Sequence, residues 1–139
     1  MDYTALKNEF LNDPNGYGYS VYYADGQDWR LAELINQIRD TIFIARGDTV
    51  PSYEIFEAIV PTEWDLLSVQ EKQRIQLILS MGEISVNGPN TKSAFLLAFG
   101  VGTTTRANLI ALTTRKGSRA EQLFGHAVSW DDIARARRA

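Results

Sequence analysis

The sequence contains no cysteine and a single histidine, His126. Without cysteine the chain can form no disulfide, no thiolate nucleophile and no cysteine-ligated zinc site. One histidine alone cannot supply a histidine cluster for a metal ion. We therefore expect the protein to bind neither a metal nor another cofactor, and the lack of cysteine fits a reducing compartment.

Long apolar runs and common catalytic motifs are also missing. No stretch of about 18 uncharged apolar residues occurs, so we expect no membrane span. The opening residues Met1–Thr4 lack the basic and apolar regions of a signal peptide, and we expect none. No G-x-S-x-G motif marks a nucleophile elbow.

One segment, Gly100–Thr105, resembles a phosphate-binding loop at first sight. A P-loop needs a lysine after its last glycine and a buried strand before its first. Here Thr103 follows Gly102, and the preceding residues have helical spacing. The dinucleotide fingerprint also fails, because Thr105 stands where its last glycine should be. We interpret the segment as a joint between two helices, with Thr103 or Thr104 as the second helix's N-cap.

The remaining candidate catalytic groups are better explained without catalysis. The pairs Glu54/Glu57 and Asp131/Asp132 lie at predicted helix starts or exposed faces, where carboxylates complement the helix dipole and aid solubility. His126 follows a glycine at a predicted helix end, which indicates a capping or surface role. We expect no enzymatic activity and no small-molecule substrate.

Helix start and stop signals recur along the whole chain. They predict an all-α fold of about six or seven short helices with little or no strand. We expect one domain over residues 1–139. It would contain an aromatic loop at 13–28, an amphipathic helix at 27–40 and a basic C-terminal helix at 129–139.

Three serines predict helix starts. Ser68 with Glu71 and Ser118 with Glu121 have the spacing of capping boxes, and Ser129 caps the last helix.

Strand signals are weak, and only Ile42–Ala45 and Ile84–Val86 are candidates. The helices are expected to share one apolar core. Its predicted members are Leu34, Ile38, Phe56, Ile59, Trp64, Leu67, Ile78, Phe95, Phe99, Leu109, Leu112 and Leu123.

Charge is divided unevenly along the chain. Residues 1–103 carry seven Lys/Arg and fourteen Asp/Glu, a net charge of −7, whereas residues 104–139 carry seven and three, a net of +4. Such a chain could join its neighbours head to tail or meet an acidic partner. An unevenly charged solvated surface is the simpler interpretation.

The basic C-terminal region also suggests a second function, DNA binding or DNA packaging. Its arginines could contact phosphates, although the sequence pI of about 5.1 is low for a dedicated nucleic-acid binder. As partner-binding residues we predict an aromatic and basic set: Tyr17, Tyr19, Tyr22, Tyr23, Trp29, Trp130, Arg135, Arg137 and Arg138.

Several short phrases along nearly the whole chain occur together in one known group of proteins. They are Leu6-Lys7-x-Glu9, Asp13-Pro14, Gly18-Tyr19, Thr62-Glu63-Trp64, Asn90-Thr91, Ala94-Phe95, Phe99-Gly100-x-Gly102-Thr103-x-Thr105-Arg106, Asn108-Leu109-x-Ala111-Leu112, Ser118–Gly125 and Asp131–Ala134. In these phrases the chain resembles a family of small, mostly helical virion proteins of tailed bacteriophages. It departs from that pattern at Tyr17–Asp28, which is longer and more aromatic.

The resemblance implies a structural role in the virion, with synthesis in the host cytoplasm. The commonest role of such proteins is at the head–tail junction, where a ring of subunits lies beneath the portal. The implied partners are other copies of the chain, the portal and other neck or tail proteins, and packaged DNA. By analogy with such connectors, residues 129–139 would dock onto the portal. A capsid decoration protein or a tail protein remains an alternative.

Overall fold

A computed structural model describes all 139 residues and contains ten helices and four short strands. Helix accounts for 58% of the residues and strand for 12%. The predicted all-α class is therefore wrong, because the fold is mixed and includes two small antiparallel sheets. In chain order the elements are α1 (Tyr3–Asn12), α2 (Tyr19–Ala24), α3 (Asp28–Asn36), β1 (Ile38–Ala45), β2 (Val50–Pro51), α4 (Ser52–Ala58), α5 (Pro61–Asp65), α6 (Val69–Leu79), β3 (Glu83–Ile84), α7 (Pro89–Ala98), α8 (Thr104–Leu112), β4 (Thr114–Ser118), α9 (Arg119–Phe124) and α10 (Trp130–Arg137).

The largest departure from the predicted elements lies between α3 and β1. The helix predicted at 27–40 ends at Asn36, because Gln37 is extended. The Asn36 side chain donates to the Val128 carbonyl at 2.7 Å and accepts from the Val128 N–H at 2.8 Å. These bonds fix the chain where the helix stops. β1 then pairs with β4, so the strand candidate Ile42–Ala45 lies within a longer strand.

The second sheet consists of two residues from each strand. Val50 lies opposite Ile84 and Pro51 opposite Glu83, in antiparallel register. The strand candidate Ile84–Val86 is confirmed only at its first residue.

Contacts group the chain into two compact units, each with its own buried cluster. Unit 1 comprises Met1–Ile44 and Lys116–Ala139, and unit 2 comprises Ala45–Arg115. The chain leaves unit 1 near the end of β1 and returns to it within β4. This grouping describes contacts, and the single domain that was expected over residues 1–139 stays a prediction.

Unit 1 includes a helix where an aromatic loop was predicted. The loop predicted at 13–28 contains α2, so that prediction is wrong for Tyr19–Ala24. Asp13 organises the approach to this helix, since its carboxylate accepts from the N–H groups of Tyr17 and Gly18 at 2.7 and 2.8 Å. The core of the unit is Leu6, Phe10, Tyr19, Leu31, Ile35, Ala120, Val128, Ile133 and Ala136.

Unit 2 packs α4, α6, α7 and α8 around a second core. Of the predicted core residues, four are buried there: Ile78, Phe95, Phe99 and Leu109. Five others are partly buried: Leu34 in unit 1, and Ile59, Trp64, Leu67 and Leu112 in unit 2. The prediction is wrong for three residues, which are exposed: Ile38, Phe56 and Leu123.

The predicted helix starts are largely confirmed. Ser118 and Ser129 each form a complete capping box, and Thr103 caps α8 by accepting from the Arg106 N–H. Ser68 accepts from the Glu71 N–H and caps α6. These signals are local in sequence, which is why they can be identified without the fold.

Candidate interaction surface

The joint between α7 and α8 explains the phosphate-loop resemblance of Gly100–Thr105. Gly102 adopts φ +90°, a left-handed conformation that glycine accepts without strain. The N–H groups in the first turn of α8, which have no partner within the helix, donate to a carboxylate of the protein itself. Glu63 accepts from the N–H of Thr104 at 2.9 Å, and from the N–H and hydroxyl of Thr105 at 2.7 and 2.5 Å. The position that an anion would take is therefore filled by Glu63.

Hydrogen bonding at this joint also favours the ionised form of Glu63. The Thr105 hydroxyl and the backbone N–H groups of Thr105 and Thr104 lower the pKa of the Glu63 carboxyl. The Thr105 hydroxyl in turn accepts from the Val60 N–H at 2.9 Å, just before α5. Glu63 and Thr105 thus join α5 to the first turn of α8.

The predicted aromatic partner residues mostly belong to the packing of unit 1. Tyr19 is fully buried, with its ring edge-on to Phe10 at 5.0 Å between ring centres. Burial raises the pKa of the Tyr19 hydroxyl. The remaining tyrosines of the set are partly buried against the same core: Tyr17, Tyr22 and Tyr23.

The two tryptophans of the predicted set are more exposed than its tyrosines. Trp29 and Trp130 are 55% and 64% exposed. The Arg30 guanidinium lies 4.5 Å from the centre of the Trp29 ring. These two side chains are the only aromatic members of the predicted set that face solvent.

The basic C-terminal residues are used within unit 1. Arg137 donates to Asp28 at 2.7 Å and to the Tyr23 carbonyl at 2.9 Å. Arg135 pairs with Asp131, one turn earlier on α10, at 3.0 Å.

Helix α10 packs one face against the core of unit 1, and the docking role predicted for residues 129–139 stays a prediction. Ile133 and Ala136 are buried in the unit 1 core, whereas Arg135 and Arg138 are exposed and Arg137 is partly buried. Unit 1 as a whole carries eight Lys/Arg and ten Asp/Glu, and Arg137 of α10 pairs with Asp28 of α3.

An apolar groove in unit 2 was not predicted from the sequence. It lies between α4, α5 and α6 and has a volume of about 540 Å³. Phe56 forms part of its wall while 66% exposed. Its lining residues are Phe56, Glu57, Ile59, Pro61, Trp64, Gln76 and Leu79.

The sequence did contain a signal for this groove. Ile55 and Phe56 are adjacent on a helix of seven residues, so they point in different directions. Ile55 and Ala58 face the core, which leaves Tyr53 and Phe56 on the outer face. The predicted core included Phe56, whereas Ile55 is the member of this pair that is buried.

A second apolar surface of unit 2 lies at the α7–α8 joint. Val101 is 90% exposed at its tip, and Ile110 on α8 is also exposed. A hollow of about 440 Å³ runs beside Val101, Arg106 and Ile110. Ile110 also lines a small neighbouring cavity with Lys92.

The groove and the joint belong to parts of unit 2 with opposite charge. Residues 52–65, which form α4 and α5, contain four Asp/Glu and no Lys/Arg. Residues 84–115, which include α7 and α8, contain three Lys/Arg and no Asp/Glu. Unit 2 therefore offers an apolar groove with Glu57 in its wall and an apolar projection with Arg106 beside it.

Three further observations bear on function. No group of three or more histidine or carboxylate side chains is placed to hold a metal ion. None of the helices is both long and apolar enough to cross a membrane. No family model, no curated protein and no solved structure matches this chain.

Proposed function

We propose that this chain is a non-enzymatic structural protein of a tailed-bacteriophage virion, acting as a ring subunit of the head–tail connector beneath the portal. The observation that carries a binding role is the apolar groove of unit 2, with Phe56 exposed in its wall. Contiguous apolar surface on a folded protein marks a site of protein contact. The place in the virion rests on the sequence resemblance.

A ring also suits the charge pattern of unit 2. In a closed ring each subunit presents two different surfaces, one to each neighbour. A ring contact is favoured where those surfaces are complementary, and the 52–65 and 84–115 segments carry opposite charge. The partners in this proposal are other copies of the chain, the portal and adjoining neck or tail proteins.

The test is the copy number of this protein in purified phage particles, measured by quantitative mass spectrometry against the portal protein. A connector ring gives a stoichiometry close to that of the portal, roughly a dozen copies. Hundreds of copies would contradict the connector assignment and place the protein on the capsid or along the tail. Absence from the particle would overturn the structural role itself.

A further inference from the structure

We propose, building on that function, that the groove of unit 2 in one copy receives the α7–α8 joint of a second copy. We define the groove surface as Phe56, Ile59, Trp64 and Leu79, and the joint surface as Val101 and Ile110. Both surfaces lie in unit 2, so one unit contains the two halves of a head-to-tail contact.

Shape is the first argument for this occupant. The joint projects as a tight turn through Gly102 and ends in a valine side chain that is 90% exposed. An exposed apolar tip on a short turn fits a groove of about 540 Å³ with an apolar wall. Burial of both surfaces removes apolar area from water on each copy, which drives association.

Charge complementarity is the second argument, and it favours a second copy. Glu57 lines the groove, and residues 52–65 carry only acidic charges. Arg106 lines the hollow beside Val101, and residues 84–115 carry only basic charges. Docking the joint of one copy into the groove of the next brings Arg106 towards Glu57, whereas groove against groove brings two Glu57 side chains together.

The contact predicts a complementation pattern between two single variants. Phe56→Ser damages the groove and keeps the joint, whereas Val101→Ser damages the joint and keeps the groove. Both side chains are exposed, so neither change removes core packing. Val21→Ser, at another exposed valine, is the matched control.

Sedimentation velocity over a concentration series measures the result. We expect the wild-type chain and Val21→Ser to form oligomers and each of the two interface variants alone to be monomeric. An equimolar mixture of the two interface variants forms dimers and nothing larger, because each dimer has one intact contact and two damaged surfaces. A monomeric wild type, or a mixture that stays monomeric, would overturn the proposal.

Disulfide trapping gives a second measurement, and the lack of native cysteine makes it specific. Gln76→Cys, at the groove, in isotope-labelled protein is mixed with unlabelled Ala107→Cys, beside Val101, so that Phe56 and Val101 are both kept, and the mixture is oxidised. Mass spectrometry then counts mixed dimers against those formed with Val21→Cys. We expect at least about a tenfold excess, the factor that corresponds to 1.4 kcal/mol of preference. Equal yields would contradict the contact.

The two proposals fail in distinguishable ways. If particles contain about as many copies as the portal but the mixed Phe56→Ser and Val101→Ser variants stay monomeric, this contact is overturned and the virion role stands. If the mixed variants form dimers but the protein is absent from particles, the contact is supported and the virion role is overturned.

Discussion

Glu63 occupies the site that made the sequence resemble a nucleotide-binding loop. The amide N–H groups at the start of α8 attract negative charge, and the side chain of α5 supplies it. Because the N–H groups of α8 already donate to a carboxylate of the same chain, they stabilise the fold and are not available to a ligand. The residue three positions into α5 was visible in the sequence, but its partner lies forty-two positions away.

Stability should therefore depend on pH through Glu63. Because the folded-state pKa of Glu63 lies below its unfolded value, its contribution is present above the unfolded pKa and is lost as pH falls through the folded pKa. We expect Glu63→Gln to lower the urea midpoint at about pH 7 and to reduce its fall as the pH is lowered below about 5. Glu57→Gln, on the same unit, is the control. Equal pH dependence in the two variants would contradict this role.

The ion pair between Glu9 and Arg119 is a second interaction that depends on single residues. Arg119 donates to both carboxylate oxygens of Glu9, at 2.8 and 2.9 Å. The Glu9 side chain is 5% exposed and the Arg119 side chain 16%. The hydrogen bonds that Arg119 donates to Glu9 raise the pKa of the Arg119 guanidinium. This pair joins α1 to the start of α9 within unit 1.

Breaking this pair from one side should be costly. We expect Glu9→Gln or Arg119→Ala to lower the free energy of unfolding by about 3–5 kcal/mol, because a buried charge loses its partner. The double variant Glu9→Leu with Arg119→Met should cost less than either single change. Urea denaturation measures all three. Arg30→Ala, in an exposed pair with Glu33, should change stability by less than about 1 kcal/mol. A larger loss in the double variant would contradict the argument.

At the scale of elements, local signals predicted helices better than strands. The N-caps at Ser118 and Ser129 depend on residues three positions apart, and they were identified correctly. Only the second half of β1, Ile42–Ala45, was a strand candidate, because Leu31, Ile35 and Ile38 continue a helical spacing past the point where α3 ends. Its partner strand, Thr114–Ser118, has no alternating apolar pattern, and pairing between distant segments leaves no local signal.

The groove was missed for a related reason. Apolar residues on a short helix were assigned to one core, although only part of the helix surface can face it. Trp64 was predicted as core and proves partly buried, while Phe56 lies outside. Spacing identifies an apolar face, and the fold decides whether a partner helix or solvent covers it.

Among the glycines of the helices and strands, Gly117 is the one at which we expect a side chain to be tolerated least. It is buried in β4, where an added Cβ would overlap the side chain of Ile44 in β1. We expect Gly117→Ala to lower the unfolding free energy by about 1–3 kcal/mol through overpacking. Urea denaturation measures the loss, and Ile44→Ala in the same chain should recover part of it. Gly47→Ala, where no atom lies within 4 Å of the new Cβ, is the control. An equal effect at both glycines would contradict the steric cause.

At the scale of the whole molecule, the order of charges along the sequence misrepresents their distribution in the structure. The division at residue 103 gives an acidic and a basic part, yet unit 1 draws acidic and basic segments from both parts. Unit 1 has two more acidic than basic residues and unit 2 has one more. The argument for head-to-tail contact therefore rests on segments within unit 2, and the binding role predicted for residues 129–139 stays a prediction.

Unit 2 should fold as an isolated fragment, because it is continuous in sequence and its two ends are held together. Near its start and end, the Arg46 N–H donates to the Thr113 carbonyl at 2.9 Å. The Asn87 side chain donates to the carbonyls of both residues, at 2.8 and 3.0 Å. The fragment also retains the complete core of the unit.

We expect residues 45–115 to unfold cooperatively in urea, followed by far-ultraviolet circular dichroism, with an unfolding free energy of about 3–5 kcal/mol. Asn87→Ala should lower this by about 1–3 kcal/mol, because the two carbonyls lose a buried donor. Asn90→Ala, at an exposed position in α7, is the control. A gradual transition would show that the unit needs the rest of the chain. A cooperative one would allow the groove and joint variants to be tested in a fragment that contains both surfaces.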